Sequence, residues 1–349
     1  MILPQTHAAV LFLMILSLFC WGSWANTYKL AGKWRYELYY FDFAAGVALA
    51  AFLYAFTVGN LGYDGFSFLD DMMHAGKRQW LYGFMAGVIF NLANMILMSA
   101  ISVAGMAVAF PVGIGVATIV GIALAYAAKA TGNPALLSAG CVLLAAAVVA
   151  AALAYRFQAV LRHEGLARAG KAASTRRPSS IKGIVLALVS GLLMGSFFPL
   201  VDSARQSEIG LGPYAVAVVF AIGVFLSTFV FNVFLMNLPV EGEPLELLDI
   251  LKSTPKQHLL GLAGGALWCT GMVTSLAAGS AAAETRVGAV AGYLLAQGFP
   301  LVAVLWGVLL WKEFKGSDLR VKTLAVFMLL LFACGLLVIS QASLHVRTA

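Results

Sequence analysis

Two carboxamides, Asn91 and Asn94, lie within a long apolar run and share a helical face with Gly83, Gly87 and Met98. An amide both donates and accepts, so this pair either bonds a neighbouring helix or meets the hydroxyl or ureido groups of a solute. The glycines of the stripe allow close approach of another backbone. A second stripe, Gly261, Gly265, Trp268, Met272 and Ser275, has Thr270 and Thr274 beside it. Its indole either packs in a core or stacks on a sugar face or an amide plane. In the first apolar run Trp21 and Asn26 lie deeper than Trp24 and Tyr28, whose default role is anchoring at a membrane interface. Tyr293, Gln297 and Pro300 follow one another at helical spacing, as do Pro111, Gly115 and Thr118; a proline inside a membrane frees a backbone carbonyl and can kink its helix. The candidate solute ligands are therefore Trp21, Asn26, Asn91, Asn94, Trp268, Thr270, Tyr293 and Gln297.

Other chemistries find little support. A membrane-embedded enzyme needs His, Asp or Ser gathered at one depth, yet His7, His74, His163, His258 and His345 fall at the ends of runs or in loops, so no catalytic residue is expected. Cys20, Cys141, Cys269 and Cys334 lie in apolar runs without the paired spacing of metal or redox sites, so no metal or other cofactor is expected. The string GLARAGKA at 165–172 nearly matches a phosphate-binding loop, but Ala172 replaces the hydroxyl that would ligate Mg²⁺ and no strand precedes it. No acid lies at the midpoint of a run: Asp42 and Glu313 sit at predicted inner ends, Asp202 and Glu284 at predicted outer ends. If a proton is coupled, Asp42 and Glu284 are the candidates, although Glu284 next to Arg286 also reads as a local ion pair.

The elements that must carry these residues follow from composition. Of 349 residues 62% are hydrophobic and 11% charged, where a soluble domain has about a quarter charged. Ten runs have the roughly 20-residue length that spans a bilayer: 8–28, 41–60, 80–102, 105–127, 135–155, 182–202, 212–236, 258–280, 286–311 and 321–341. They are continuous rather than alternating, which marks helices and not barrel strands. The first lacks a preceding basic residue and is expected to be retained as a helix rather than cleaved as a signal peptide.

Most of the 22 Lys and Arg fall in the loops after the first, fifth, seventh and ninth runs. That bias gives a multi-pass protein of the cell (inner) membrane with both termini outside and the basic segment 156–181 cytoplasmic. A net charge of +7 distributed this way reflects topology, not a nucleic-acid partner. The segment 156–181 separates two five-helix halves, 1–155 and 182–349. Leu69, Asp71, Gln79, Gly83 and Gly87 superpose without gaps on Leu247, Asp249, Gln257, Gly261 and Gly265 at an offset of 178. Halves with an odd number of helices insert in opposite senses, so the expected fold is an all-α membrane protein of ten transmembrane helices in two inverted five-helix repeats. Segments 66–75 and 244–252 are amphipathic and read as short interfacial helices.

The string AGVIFNLANMILMSAISVAGMAVAFPVGIGVA (86–117) resembles the third and fourth helices of the drug/metabolite transporter (DMT) superfamily. Within it the glucose/ribose porters, the rhamnose–proton symporters and the ureide permeases are nearest. GGALW (264–268) and WGVLLWKEFKG (306–316) agree, the latter with Lys312-Glu313 at the family's acidic end of helix nine. FCWGSWANTYK (19–29) and YYFDF (39–43) are similar to the ureide-permease opening, and the degraded phosphate-loop string resembles its central loop. The resemblance implies a central cavity lined by helices 1, 3, 4, 6, 8 and 9, with Gln297 in the place of the porters' helix-nine Gln. Ala93-Asn94 stands where those porters carry Gly-Asn, so the amide is kept and the glycine is not.

The expected function is secondary active import, by alternating access, of a small polar solute, with protons as the coupling ion. A sugar of the rhamnose, ribose or glucose type comes first, and a ureide or nucleobase derivative is the alternative. Export of drugs or metabolites is a further alternative, which the want of a mid-membrane acid disfavours. The expected partners are the solute, the lipid bilayer and the proton.

Overall fold

The computed structural model describes residues 1–168, 180–342 and 344. Every regular element among them is helical. In chain order these are α1 (His7–Ser23), α2 (Ala25–Leu30), α3 (Tyr36–Phe56), α4 (Phe68–His74), α5 (Lys77–Ala104), α6 (Met106–Ala128), α7 (Pro134–Arg168), α8 (Ser180–Arg205), α9 (Pro213–Asn237), α10 (Pro255–Gly279), α11 (Ala289–Gln297), α12 (Phe299–Leu305) and α13 (Leu319–Gln341). Short 3₁₀ turns cover Leu247–Lys252 and Ala283–Thr285. Among the described residues nine helices are long and apolar enough to cross a bilayer, α1 and α2 counting as one, and α11 with α12 makes a tenth that is bent by 43°.

Local chemistry sets the ends of these helices. Thr254 and Gln257 form a reciprocal capping box ahead of α10, with Pro255 in its first turn. Asp318 accepts from Val321 N at the start of α13. Asp71 Oδ2 accepts from Gly212 N, the residue preceding α9; burial pushes the Asp71 carboxyl up and this bond offsets part of the rise. Arg35 grips Glu37 through two bonds, 3.0 and 2.6 Å long, at the start of α3. That contact raises the guanidinium of Arg35 further.

Two spans, the ninth and the fifth, differ from the sequence expectation. The ninth, expected as one run over 286–311, is broken at Gly298 and ends in a π turn, Trp306–Leu310. Pro300 lies in the first turn of α12, where its missing N–H removes no helical bond. The hinge between the third and fourth spans is the single residue Gly105, at φ 84°, a conformation that glycine adopts without steric cost. The fifth helix runs on to Arg168, into the segment taken for a linker, because its continuation is packed: Gln158 is buried and the Arg320 guanidinium lies 3.6 Å from the centre of the Phe157 ring. Residues 169–179 of that segment, with Lys171, Arg176, Arg177 and the end of the phosphate-loop-like string, lie outside the described residues. The amphipathic segments hold two short helical pieces, α4 and the 3₁₀ turn Leu247–Lys252.

Packing divides the chain into two compact units, each discontinuous in sequence: 1–95 with 196–299, and 96–195 with 300–349. In the first, α3 packs on α10 and α9, and α1 on α10. In the second, α13 lies along α7, which also packs on α6. There Gly191 faces the Gly113 carbonyl so closely that a Cβ would come within 2.4 Å of it.

The second unit also contains a remote cap. Glu313 accepts from Met106 N at 3.0 Å and Ala107 N at 2.7 Å, covering two of the free N–H groups at the start of α6. Hydrogen bonds to a charged group contribute about 1.5–3 kcal/mol each. Glu313→Ala should therefore lower the melting temperature in detergent by several degrees, and Glu313→Gln, which still offers one acceptor, by less. Equal melting temperatures for all three proteins would remove this role from Glu313.

Candidate functional site

The amide stripe of α5 divides between two neighbours within the first unit. Gly83 and Gly87 face α9: a Cβ on Gly83 would meet Val219 Cγ1 at 3.1 Å, and one on Gly87 would meet the Phe220 carbonyl oxygen at 2.1 Å. One turn further, Asn91 continues the same seam. Its Nδ2 donates to Ser227 Oγ at 2.8 Å and Thr228 Oγ1 at 3.1 Å, and Thr228 Oγ1 donates back to Asn91 Oδ1 at 3.3 Å. The amide is engaged at both ends, so Asn91 joins helices.

Asn94 turns instead toward α3. Its Nδ2 donates to Tyr40 Oη at 3.1 Å, and Tyr40 Oη lies 3.4 Å from the Asn91 carbonyl oxygen. Asn94 Oδ1 accepts no hydrogen bond among the described residues. Tyr40 was not among the candidates, because a hydroxyl on a ring within an aromatic run carries no signal of the side chain it meets.

An aromatic layer extends from this point. Phe90, one turn before Asn94, packs against Trp268 at 4.1 Å between centroids with the rings tilted by 34°, and Phe220 lies nearly parallel to that indole at 5.6 Å. Trp268 is only 5% exposed, so its faces are occupied by protein and it forms a wall rather than a free stacking surface. Trp21 Nε1 donates to the Trp268 carbonyl at 3.2 Å, and its ring meets Phe198 and Phe299 edge-on. A Cβ on Gly271 would meet Trp21 Cδ1 at 2.6 Å, so that glycine gives the indole its place. The layer thus joins α1, α5, α10, the end of α8 and the start of α12.

The remaining candidates disperse. Asn26 Nδ2 donates to Ser23 O in its own helix. Thr270 bonds Ala266 O and Tyr54 Oη. Tyr293 lies half-buried in α11. Gln297, the last residue of α11, is half-buried just before the break, and its side chain makes no hydrogen bond among the described residues. Glu284 is exposed in the 3₁₀ turn, and Arg286 donates to Ala281 O rather than to it. Asp42 has a partner that sequence reading missed: His258 Nδ1 lies 2.7 Å from Asp42 Oδ2, with Trp34 edge-on to the imidazole at 5.8 Å. Among the described residues no three His, Cys, Asp or Glu gather where they could hold a metal ion, and none of the four cysteines forms a disulfide.

Some ten apolar helices, with amides and aromatics turned inward, define a multi-pass membrane protein. A family model described as Ureide permease matches residues 168–343, half of the chain. The chain belongs to the ureide permease family, whose members are transporters; it is a transporter of small solutes and not an enzyme. It is 24% identical to Ureide permease 4 and 22% identical to Ureide permease 1, both of Arabidopsis thaliana, across 99% of this chain and the full length of each relative. One solved crystal structure shares the fold, with a TM-score of 0.53 and 14% identity over 95% of this chain and 96% of its own. These relatives favour the ureide alternative over the sugar that sequence reading put first.

Proposed function

We propose that the chain imports a ureide or nucleobase-derived solute by alternating access of two inverted repeats, with a sugar as the second reading. The observation that carries this is the contrast between Asn91, whose amide is fully engaged, and Asn94 and Gln297, whose Oδ1 and whole side-chain amide respectively are left open. A urea-type group presents N–H donors beside a carbonyl acceptor in one plane, which amides complement. The names of the relatives favour the same class.

Reciprocal packing supports the repeat. A Cβ on Gly87 would strike the Phe220 carbonyl and one on Gly265 the Phe43 carbonyl; in return Gly223 faces the Phe84 carbonyl and Gly46 the Leu262 carbonyl. Gly87 and Phe84 stand 178 residues before Gly265 and Leu262, and Phe43 and Gly46 stand 177 before Phe220 and Gly223, so α5 sits on α9 as α10 sits on α3. Both termini outside and a cytoplasmic 156–181 complete the proposal; a periplasm-active reporter fused after Ala349 should be active.

The test is uptake into proteoliposomes of labelled allantoin-like ureides, purines and sugars, with and without a pH gradient. Saturable ureide or purine uptake, competed by the unlabelled compound, is expected. Saturable sugar uptake alone would move the assignment to the second reading, and outward movement of cationic dyes alone would overturn import. Asp42, with His258 and Tyr39 as its titratable neighbours, is the proposed proton site. Asp42→Asn should abolish stimulation by the gradient while leaving downhill flux, and undiminished stimulation would exclude it.

A further inference from the structure

Two apolar grooves open on the first unit, and they differ in the charge at their ends. One, of about 250 Å³, is lined by Phe41, Ala44, Phe225, Phe229, Leu247 and Ile250, together with Thr228. The charges beside it, Asp249 and Lys252, neutralise each other at 2.6 Å. The other, of about 310 Å³, runs between α5 and α9 over Lys77, Trp80, Leu81, Phe84, Val219 and Ile222.

The second groove follows from the seam described above. Gly83, Gly87 and Gly223 let the two helices meet closely there, and the larger side chains Trp80, Leu81, Phe84 and Ile222 line the groove beside that seam. Lys77, Trp80, Leu81 and Phe84 follow i, i+3, i+4 and i+7 and so lie along one face, roughly 10 Å from end to end. Below Lys77 the lining is wholly apolar. Lys77 and its neighbour Arg78 are exposed, and neither forms an ion pair among the described residues. They occupy the first turn of α5, which contains no acid and carries the positive end of a 28-residue helix. Asp70 and Asp71 are engaged by Ser67 and Gly212. The exposed Glu208 lies on the loop that Gln79 and Gly76 contact.

An apolar trough with Lys77 at one end, followed in the chain by the exposed Arg78 in a first helical turn without an acid, matches one class of molecule. We propose that the α5–α9 groove is a binding site for an anionic phospholipid, its phosphate at Lys77 and Arg78 and an acyl chain along Trp80, Phe84, Val219 and Ile222. The groove over Phe41 and Phe229, with its neutralised charges, takes acyl chains without regard to headgroup.

The experiment is native mass spectrometry of the full chain in detergent, titrated with phosphatidylglycerol, phosphatidylcholine or inorganic phosphate. A basic residue near an anionic headgroup is worth roughly a fivefold factor, so the native chain should retain phosphatidylglycerol roughly 30-fold better than phosphatidylcholine. K77Q/R78Q should erase that preference while still retaining phosphatidylcholine and keeping its melting temperature. Ile222→Trp, which fills the trough, should reduce retention of both lipids at this site. Equal retention of the two lipids by the native chain, a preference that survives K77Q/R78Q, or displacement of the lipid by inorganic phosphate at equal concentration would each overturn the proposal.

Discussion

A leucine at position 265 should leave no folded protein to assay. A Cβ there would sit 1.9 Å from the Phe43 carbonyl oxygen and 2.7 Å from Val47 N, and both are backbone atoms that no rotamer can move. The whole of α3 would have to back away from α10, and with it the reciprocal contact in which Gly46 faces the Leu262 carbonyl. Inside a bilayer the hydrophobic effect does not hold helices together, so close packing of small residues provides the association that separation would lose. The expected cost exceeds about 4 kcal/mol, a large share of the 5–15 kcal/mol that holds a typical fold. Gly265→Leu should lose the monodisperse peak in fluorescence-detected size exclusion, and Gly265→Ala should weaken it. Gly288→Ala, where nothing lies within 4 Å, should leave it unchanged. A Gly265→Leu protein eluting like the native chain would show that α3 and α10 do not pack this way.

The second large effect is on transport. Asn94→Leu removes one bond to Tyr40, worth about 1 kcal/mol, so the protein should insert and melt nearly as the native chain does. It also removes the open acceptor that a solute N–H would use. A site built to hydrogen-bond its ligand loses far more than a methylene's worth of recognition when that contact is missing. Uptake should fall roughly 100-fold or more. Asn91→Leu should behave in the opposite way: Ser227 and Thr228 lose their partner, and the melting temperature falls before any specific loss of flux. Unchanged uptake by Asn94→Leu would make Asn94, like Asn91, a joint between helices.

The contrast between these two residues marks how far the sequence could be read. Apolar runs located the spans, because a bilayer demands length and continuity. The spacing of Gly83, Gly87, Asn91 and Asn94 located one face of α5. Spacing names a face, however, and not what lies opposite it; the α9 hydroxyls that engage Asn91 and the Tyr40 hydroxyl that meets Asn94 became visible only in three dimensions. The same limit applied to Trp268, where stacking on a solute and packing in a core have one sequence signature, and Phe90 with Phe220 decides for packing. Glu313 looked like a charge at a helix end because its two partners lie more than 200 residues earlier. The order of substrate classes was inverted for a related reason: amides and aromatics suit sugars and ureides alike, and the family match supplied the distinction.

The contact between Asp42 and His258 has a consequence for synthesis. Its two members are 216 residues apart, a stretch that a ribosome working at 5–20 residues per second takes roughly 10–40 s to make. Throughout that interval α3 has left the ribosome with Asp42 lacking its imidazole. The Arg35–Glu37 fork, two residues apart, closes almost as soon as it is made. Nascent α3 therefore holds this fork at its first turn, while the Glu243 carbonyl to which Arg35 Nη1 also donates, the Asn232 amide that donates to Glu37 O, and His258 are all still to come. The insertion machinery must shelter this end of α3 from lipid until the second half arrives, and chains arrested before residue 258 should be the ones on which membrane quality control acts.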